Sequence, residues 1–554
     1  MKICRVLLCL MLAAPVAAQT PAEKGATLRG RVLLGAGRPA RRATVRIVPA
    51  RGGVPNTTTT DLNGRYEFKD VTPNEYRITA GKTGYIVLGY GQRRPFENGT
   101  IVAVRAGDTV ENLDIALPAA GAISGRVTDG DGAPIEGVAI RLMQPVFAAN
   151  RRQLRPVTGV NAYLTNDQGR YRIYGIPPGQ YVVLASTTPS AQAPPAQIAP
   201  LLPPGYASTF FPGTVRASEA KRVTLDLSQD LSGIDLQLVR APGARISGTI
   251  VDASGRPLRA GLILSQSQRS GGVTIEPLTA SSNADGSFEI AEIPPGEWVL
   301  QAVARAGMNV NGGSEGEFAS RFFNVDGTDI SDIHIQTGLG SRVEGRIVFD
   351  GTGSPDPTSV VVTTLPSDFD LAPMMGPGAR ASVRADGTFV LEGLNGPRRF
   401  RLLSAPDSWM VKAVSANGRD VTDEPLPFGT AANSIANLEI ILTNRGARVA
   451  GNVTGPRGQT VADYTVVVFA TDSDRWYQGS RFLAFTRPKQ DGTFAIANLP
   501  PGEYFVAAVD RLEGNEGLGE WQDPDVLRSL TSAALRASLS EGQTLSVTPR
   551  LILR

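Results

Sequence analysis

The chain carries a single histidine, His334, in the run Ile333-His334-Ile335. Strand alternation places its imidazole on the face opposite the two isoleucines. One imidazole could be the base of a Ser/His/Asp site. No nucleophile elbow and no second histidine accompany it, so the expected role is a polar residue on the outer face of a strand; a hydrolase built on His334 is the weakest of three functional readings. Carboxylates are plentiful, yet sequence spacing cannot show that two of them face each other across a cleft, so a glycosidase pair is unsupported. Asp-Gly and Gln-Gly turns such as Asn166-Asp167-Gln168-Gly169 resemble calcium loops at first sight. Calcium takes six to eight oxygens, usually from several carboxylates, and each turn supplies one or two; they are turn formers. The remaining side chains able to hold a ligand are aromatic. Trp476-Tyr477 sits in the polar stretch Asp474-Arg475-Trp476-Tyr477-Gln478-Gly479, and Trp521 lies among acidic residues. Their apolar faces could stack on sugar rings, or equally cover an edge of the fold. No catalytic, metal or cofactor residue is expected. The basic run Arg151-Arg152-Gln153-Leu154-Arg155 is expected to be a solvated loop.

The elements that must position these residues repeat. Asp285-Gly286-Ser287-Phe288-Glu289-Ile290, followed by Ile293-Pro294-Pro295-Gly296-Glu297-Trp298, has four further versions. They start at Asn63-Gly64, Gln168-Gly169, Asp386-Gly387 and Asp491-Gly492 and run to Tyr76, Tyr181, Phe400 and Tyr504. Asn/Asp/Gln-Gly makes a tight turn with glycine at positive φ. The aromatic-x-aliphatic alternation after it is a strand with one buried face. Pro-Pro-Gly ends that strand, and the next aromatic, expected in the core, opens the return strand. Each copy also has a glycine in its first strand: Leu28-x-Gly30-x-Val32, Ile123-x-Gly125-x-Val127, Ile246-x-Gly248-x-Ile250, Val343-x-Gly345-x-Ile347 and Val449-x-Gly451-x-Val453. A fixed strand glycine implies that something packs closely against the backbone there. Alternating runs close each copy at Leu113/Ile115/Leu117, Ile234/Leu236/Leu238, Ile333/Ile335, Leu438/Ile440/Leu442 and Leu551/Leu553.

One such hairpin cannot bury its own face, so five copies predict five β-modules of about 107 residues each. The expected fold is all-β: five tandem antiparallel sandwiches of about seven strands, with one short helix in the last. Asp523 is placed to cap that helix, Pro524 to open it, and Val526, Leu527, Leu530, Ala534 and Leu535 follow at helical spacing, over one end of the last sandwich. The expected division is 1–18, a secretory signal, then sandwiches at 19–118, 119–240, 241–338, 339–444 and 445–554. Short Gly/Ala/Pro/Arg links at 118–122, 241–244, 337–341 and 443–447 predict a chain of beads with restricted bending. Two stretches, 186–205 and 365–378, interrupt the regularity and are expected to be loops.

Lys2 and Arg5, the apolar run that follows and Val16-Ala17-Ala18 form the signal pattern. Cys4 and Cys9 both lie inside it, so each mature module must be held by its own core without a disulfide. Net charge is +3, with two of the positive charges in the signal; this argues against a nucleic-acid partner. The 61 glycines and 40 prolines suit many turns, and no run of eighteen apolar residues follows the signal to make a membrane helix.

These residues resemble the carboxypeptidase regulatory-like family, which is related to Cna B-type and transthyretin-like domains. The second copy carries the pattern most fully: Gly125-Arg126-Val127-Thr128-Asp129, Gly132-Ala133-Pro134, Gly169-Arg170-Tyr171 and Pro177-Pro178-Gly179-Gln180-Tyr181. The resemblance implies prealbumin-like, Ig-like sandwiches grouped with starch-binding-like folds, serving as accessory, adhesive or spacer units. A zinc peptidase is absent, since it needs imidazole and carboxylate ligands together. The seven lysines, among 55 basic residues, recur at no matched first-strand position, so the intramolecular Lys-Asn crosslinks of Cna B-type domains are not expected throughout. The leading functional expectation is an exported, non-enzymatic scaffold of the cell envelope, in the periplasm, at the cell surface or outside, with envelope proteins as partners. The alternative is a carbohydrate-binding array that takes polysaccharide on Trp476, Tyr477 and Trp521.

Overall fold

The computed structural model describes residues 25–50, 53–92, 99–148, 150–157, 160, 163–186, 206–240, 243–267, 277–304, 314–374, 378–461, 463–489, 491–512 and 519–554. The signal, both cysteines and nearly all of the 186–205 interruption lie outside them. Among the described residues the fold is almost wholly β, with a single α-helix. The chain divides into two compact units, Met1–Ala119 and Ala120–Arg554.

Each sequence copy contributes two sheets that close on an apolar interior. The turn glycines adopt the left-handed conformation their sequence predicts, with φ of 74° at Gly64, 69° at Gly169, 79° at Gly286, 80° at Gly387 and 76° at Gly492. A polar side chain caps most of these turns. Asn166 Oδ1 accepts from the backbone N–H of Gln168 and Arg170 at 3.1 and 2.8 Å, and Asp285 Oδ1 accepts from Ser287 at 2.9 Å. The oxygen that each of these side chains turns inward is thus used to close the turn.

In every copy the first strand pairs antiparallel with the strand after the turn, and the fixed glycine stands opposite the aromatic: Gly30 and Tyr66, Gly125 and Tyr171, Gly248 and Phe288, Gly345 and Phe389, Gly451 and Phe494. On its other side the first strand pairs with a late strand of the same copy, and that pairing is parallel, as in Val32 with Ile115 and Ile250 with Ile335. The sandwiches are mainly antiparallel, as expected, with this parallel pairing beside the first strand. A closing strand that has crossed the sandwich returns to the first strand in the same direction. The glycine lies where these two strands meet: a Cβ on Gly30, Gly125, Gly248, Gly345 or Gly451 would overlap or crowd the carbonyl oxygen of Leu113, Ile234, Ile333, Leu438 or Val547. In the first two copies the tyrosine hydroxyl donates to that same carbonyl, Tyr66 to Leu113 at 2.6 Å and Tyr171 to Ile234. In the fifth copy the parallel partner is Thr544–Val547, not the Leu551/Leu553 run; Leu551–Ile552 pairs with the other sheet and Leu553 is exposed.

The aromatic of the return strand is a core residue that also locks its turn. Tyr181 Oη donates to the Pro177 carbonyl at 2.7 Å, Trp298 Nε1 to Pro294 at 2.9 Å, Tyr504 Oη to Pro500 at 2.7 Å and Tyr76 Oη to Thr72 at 2.9 Å. Each donor thus meets a backbone carbonyl four residues back and ties the two ends of the turn together. The fourth copy departs from this. Its turn is one residue shorter, and the residue two after its glycine, Gly396, is Arg398; Phe400, which sequence spacing matched to the other aromatics, lies one pleat further along.

The fifth copy has a sheet buried on both sides. All six residues of Thr465–Ala470 are buried, as expected of a strand covered on both faces. One face meets the sandwich interior through Val466 and Val468. The other meets a second cluster of Val467, Phe469, Trp476 and Phe505, completed by Leu527 and Leu530. Those two leucines belong to the helix Pro524–Leu530, capped by Asp523, whose carboxylate accepts from Asp525 N. The helix therefore covers a sheet face rather than an end of the sandwich. It also stops at Leu530, because Leu535 begins the strand Leu535–Leu539 that pairs with Gly502–Val506. Burying the two leucines contributes on the order of 1.5–3 kcal/mol each.

Candidate functional site: the junctions between repeats

His334 lies where its alternation predicts, exposed between buried Ile333 and Ile335. Its Nδ1 shares a hydrogen bond with Thr249 Oγ1 at 2.7 Å. Among the described residues no group of three or more His, Cys, Asp or Glu side chains is arranged to hold a metal.

The three aromatic candidates do not form one surface. Trp476 is buried, its Nε1 donates to the Ala470 carbonyl at 2.7 Å, and its ring meets Phe469 edge-on with centroids 5.4 Å apart. Tyr477 is half-buried between two arginines of the fourth copy. The Arg399 guanidinium covers its ring at 4.0 Å, and Arg401 Nη2 donates to its hydroxyl at 3.0 Å. Trp521 is half-buried against Phe485, 4.7 Å between centroids. Each of the three rings is thus already packed against a neighbouring side chain.

The polar chemistry concentrates instead where repeats meet inside Ala120–Arg554. The run at 151–155 is no solvated loop; it is the outer strand Arg151–Pro156 of a hairpin with Ala139–Ala148. Side chains on a strand leave alternate faces, so its first two arginines serve different neighbours. Arg151 is buried; its Nη1 donates to the Gln266 carbonyl of the third copy at 3.1 Å and lies 3.6 Å from Asp370 of the fourth. Burial lowers the pKa of its guanidinium, and Asp370 opposes that shift. Arg152 points the other way, to the fifth copy. Its Nε and Nη2 grip Asp523 at 2.9 and 3.0 Å, and Nη2 also reaches Asp525 at 2.7 Å. Next to it, Asn150 Oδ1 accepts from Gln478 N at 2.8 Å.

Of the interruption at 365–378, Leu365 and Pro366 end the strand Val361–Pro366, and the described residues 367–374 dock against the third copy. The Gln301 side chain donates to the carbonyls of Phe369 and Ala372 at 2.7 and 3.0 Å and accepts from Met374 N at 3.1 Å. Ser267 donates to Asp370 Oδ2 at 3.0 Å. Between the fourth and fifth copies, Arg481 is bidentate on Asp423 at 3.0 and 2.8 Å, and Arg401 also donates to the Gly479 carbonyl at 3.2 Å. An open cleft of about 430 Å³ lies there, lined by residues including Arg401, Pro406, Trp409, Arg481 and Asn498. Both of its arginines are already engaged by these contacts.

Sequence reading passed over the arginines at 151–152 because charge alone says "surface". No local signal marks their strand, because Arg151-Arg152-Gln153-Leu154-Arg155-Pro156 has no apolar alternation. The beads picture is corrected for the last four copies, because the third and fourth dock through Gln301, the fourth and fifth through Arg401 and Arg481, and the second reaches all three. The joints themselves are tight. A Cβ on Gly243 would press on Glu292, and one on Gly340 on Gly393 and Leu394.

Comparison with known proteins gives the following. The carboxypeptidase regulatory-like domain family matches residues 27–118 and 122–199. No curated protein matches. Similar solved structures include a streptococcal ancillary pilin at 15% identity, covering 56% of this chain and 98% of that one, with a TM-score of 0.19. A minor pilin of Streptococcus agalactiae shares 14% identity over 39% of this chain and 96% of that one, TM-score 0.21. Two B repeat units of the collagen-binding protein of Staphylococcus aureus share 13% identity over 76% and 99%, TM-score 0.12.

Proposed function

We propose that this chain, whose residues 27–118 and 122–199 match the carboxypeptidase regulatory-like domain family, works as a non-enzymatic interaction scaffold exported to the cell envelope. In this reading the sandwiches divide at 118/119, 240/241, 338/339 and 444/445, and the last four form one preformed block. The observation that carries it is where the costly polar groups lie. Buried Arg151, Arg398 and Arg401 all face another repeat, so the chain's desolvated chemistry serves shape rather than turnover. A scaffold gains from such rigidity because a partner then meets an ordered surface and loses less entropy on binding. The signal pattern at 1–18 supports export, and among the described residues no helix is long and apolar enough to cross a membrane.

The test has two arms. Mature protein screened against peptidase and glycosidase panels is expected to show no turnover; activity abolished by a point substitution would overturn the non-enzymatic reading. Fractionation of the full chain is expected to place it outside the cytoplasm, and deletion of 1–18 to keep it inside. A glycan array serves as the control for sugar binding, expected to show no signal that depends on Trp476, Tyr477 or Trp521.

A further inference from the structure

In four repeats one position closes the turn before the return strand, and it is held by Tyr76, Tyr181, Trp298 or Tyr504. In the fourth repeat the same position is held by Arg398. The register shows the equivalence. Tyr76, Trp298, Arg398 and Tyr504 each pair with the last residue of the neighbouring strand, namely Pro49, Gln266, Pro366 and Ala470. The hydrogen bond is equivalent too, since Arg398 Nε donates back across the turn to the Asn395 carbonyl at 2.7 Å.

A guanidinium differs from an aromatic ring at this place. It is fully charged, it is 1% exposed, and it carries more donors than the turn can use. Among the described residues of its own repeat, Arg398 finds one further partner, Thr364 Oγ1 at 3.0 Å. The counter-charge comes from outside. Glu315 belongs to the third repeat, just before its strand Phe318–Val325, and is 4% exposed. Its Oε2 accepts from Arg398 Nη2 at 2.6 Å and its Oε1 from the backbone N–H of Ala379 at 2.9 Å. Ser314 forms a parallel bridge with Glu392. Gly393, at φ 69°, clears the way: a Cβ there would press on Ser314 and Glu315.

We propose that the fourth repeat is built incomplete and that Glu315 of the third repeat is the missing part of its core. The repeat has given up the aromatic that lets its siblings close by themselves and substitutes a charge that only its predecessor neutralises. This fixes which repeat stands before the fourth and makes closure of the fourth core depend on docking to the third. The inference concerns assembly of the block and stands independently of the scaffold reading.

The test is amide hydrogen exchange by mass spectrometry on the full mature chain, with Glu315→Gln, Glu315→Asp, Glu315→Leu, Arg398→Trp and the double Glu315→Leu/Arg398→Trp. Removing one partner leaves a buried charge unpaired, so Glu315→Gln is expected to speed exchange in Val361–Pro366 and Gly396–Ser404 by about a hundredfold or more. Exchange in Thr465–Ala470 of the fifth repeat is expected to change far less. Glu315→Asp keeps the charge but withdraws it by one methylene, and an intermediate effect is expected. The double variant restores an aromatic and removes the carboxylate, and is expected to exchange more slowly than either single. Additive effects of the two single changes, or a rise spread evenly over all repeats, would overturn the proposal. If Arg398→Trp fails to fold, the Gln–Asp series still decides, because equal effects of those two changes would show that the charge is not what Glu315 supplies.

Discussion

At the scale of single residues, close approach decides what a position tolerates. Gly125 is replaceable by alanine as far as backbone angles go, since its φ is not in the left-handed region. What forbids the change is the Ile234 carbonyl beneath it. That oxygen is backbone, held in the parallel register of Val127 with Leu236, and cannot rotate away. Gly125→Ala is therefore expected to destabilise the protein by about 1–3 kcal/mol, read as a lowered midpoint in chemical denaturation. An unchanged midpoint would show that the parallel pairing is looser than it looks. The glycine was legible in the sequence as a demand for close packing. The identity of the packing atom was not, because nothing local says that the closing strand runs parallel beside it.

At the scale of elements, a sheet with two apolar faces needs two covers. In the fifth repeat the sandwich supplies one, and Trp476 with the helix Pro524–Leu530 supplies the other. Trp476→Ala is expected to cost about 3–5 kcal/mol, as removal of a buried aromatic does, and to lower the thermal midpoint. Loss of ligand binding with no change in stability would reverse that assignment. The run Thr465–Ala470 already hinted at double burial, since Val466, Val467, Val468 and Phe469 break the alternation of a one-sided strand. The helix start was readable from Asp523 and Pro524. Its end was not, because Ala534 and Leu535 continue the helical spacing while strand pairing with Val506 claims Leu535.

At the scale of the whole of Ala120–Arg554, the second repeat clasps the fifth. Arg152 is 40% exposed on its side chain, so the pair by itself contributes modestly, on the order of 1 kcal/mol or less. Charge reversal is a harsher change, placing three acids together. Arg152→Glu is expected to loosen this contact, seen as a larger radius of gyration in small-angle X-ray scattering and as faster proteolysis near Gly340 and Gly446. Adding Asp525→Arg to it, which leaves the Asp523 cap in place, is expected to recover part of the compactness. If the reversed variant keeps the wild-type radius, the clasp does not hold the block together and the hairpin of Arg151–Pro156 packs there by shape alone.

The repeated turn, the alternating strands, the fixed glycine and the capped helix start were all determined by local sequence, because each depends on backbone angles and on which neighbours a few residues away share a face. The meaning of the charged residues was not. Arg151, Arg152, Arg398 and Glu315 look like surface side chains in a linear chain, and only their partners, 83 residues or more away for the ion pairs of Arg398 and Arg152, turn them into joints. Tertiary structure alone decides that, since the energy of a charge depends on what removes its water and what then faces it.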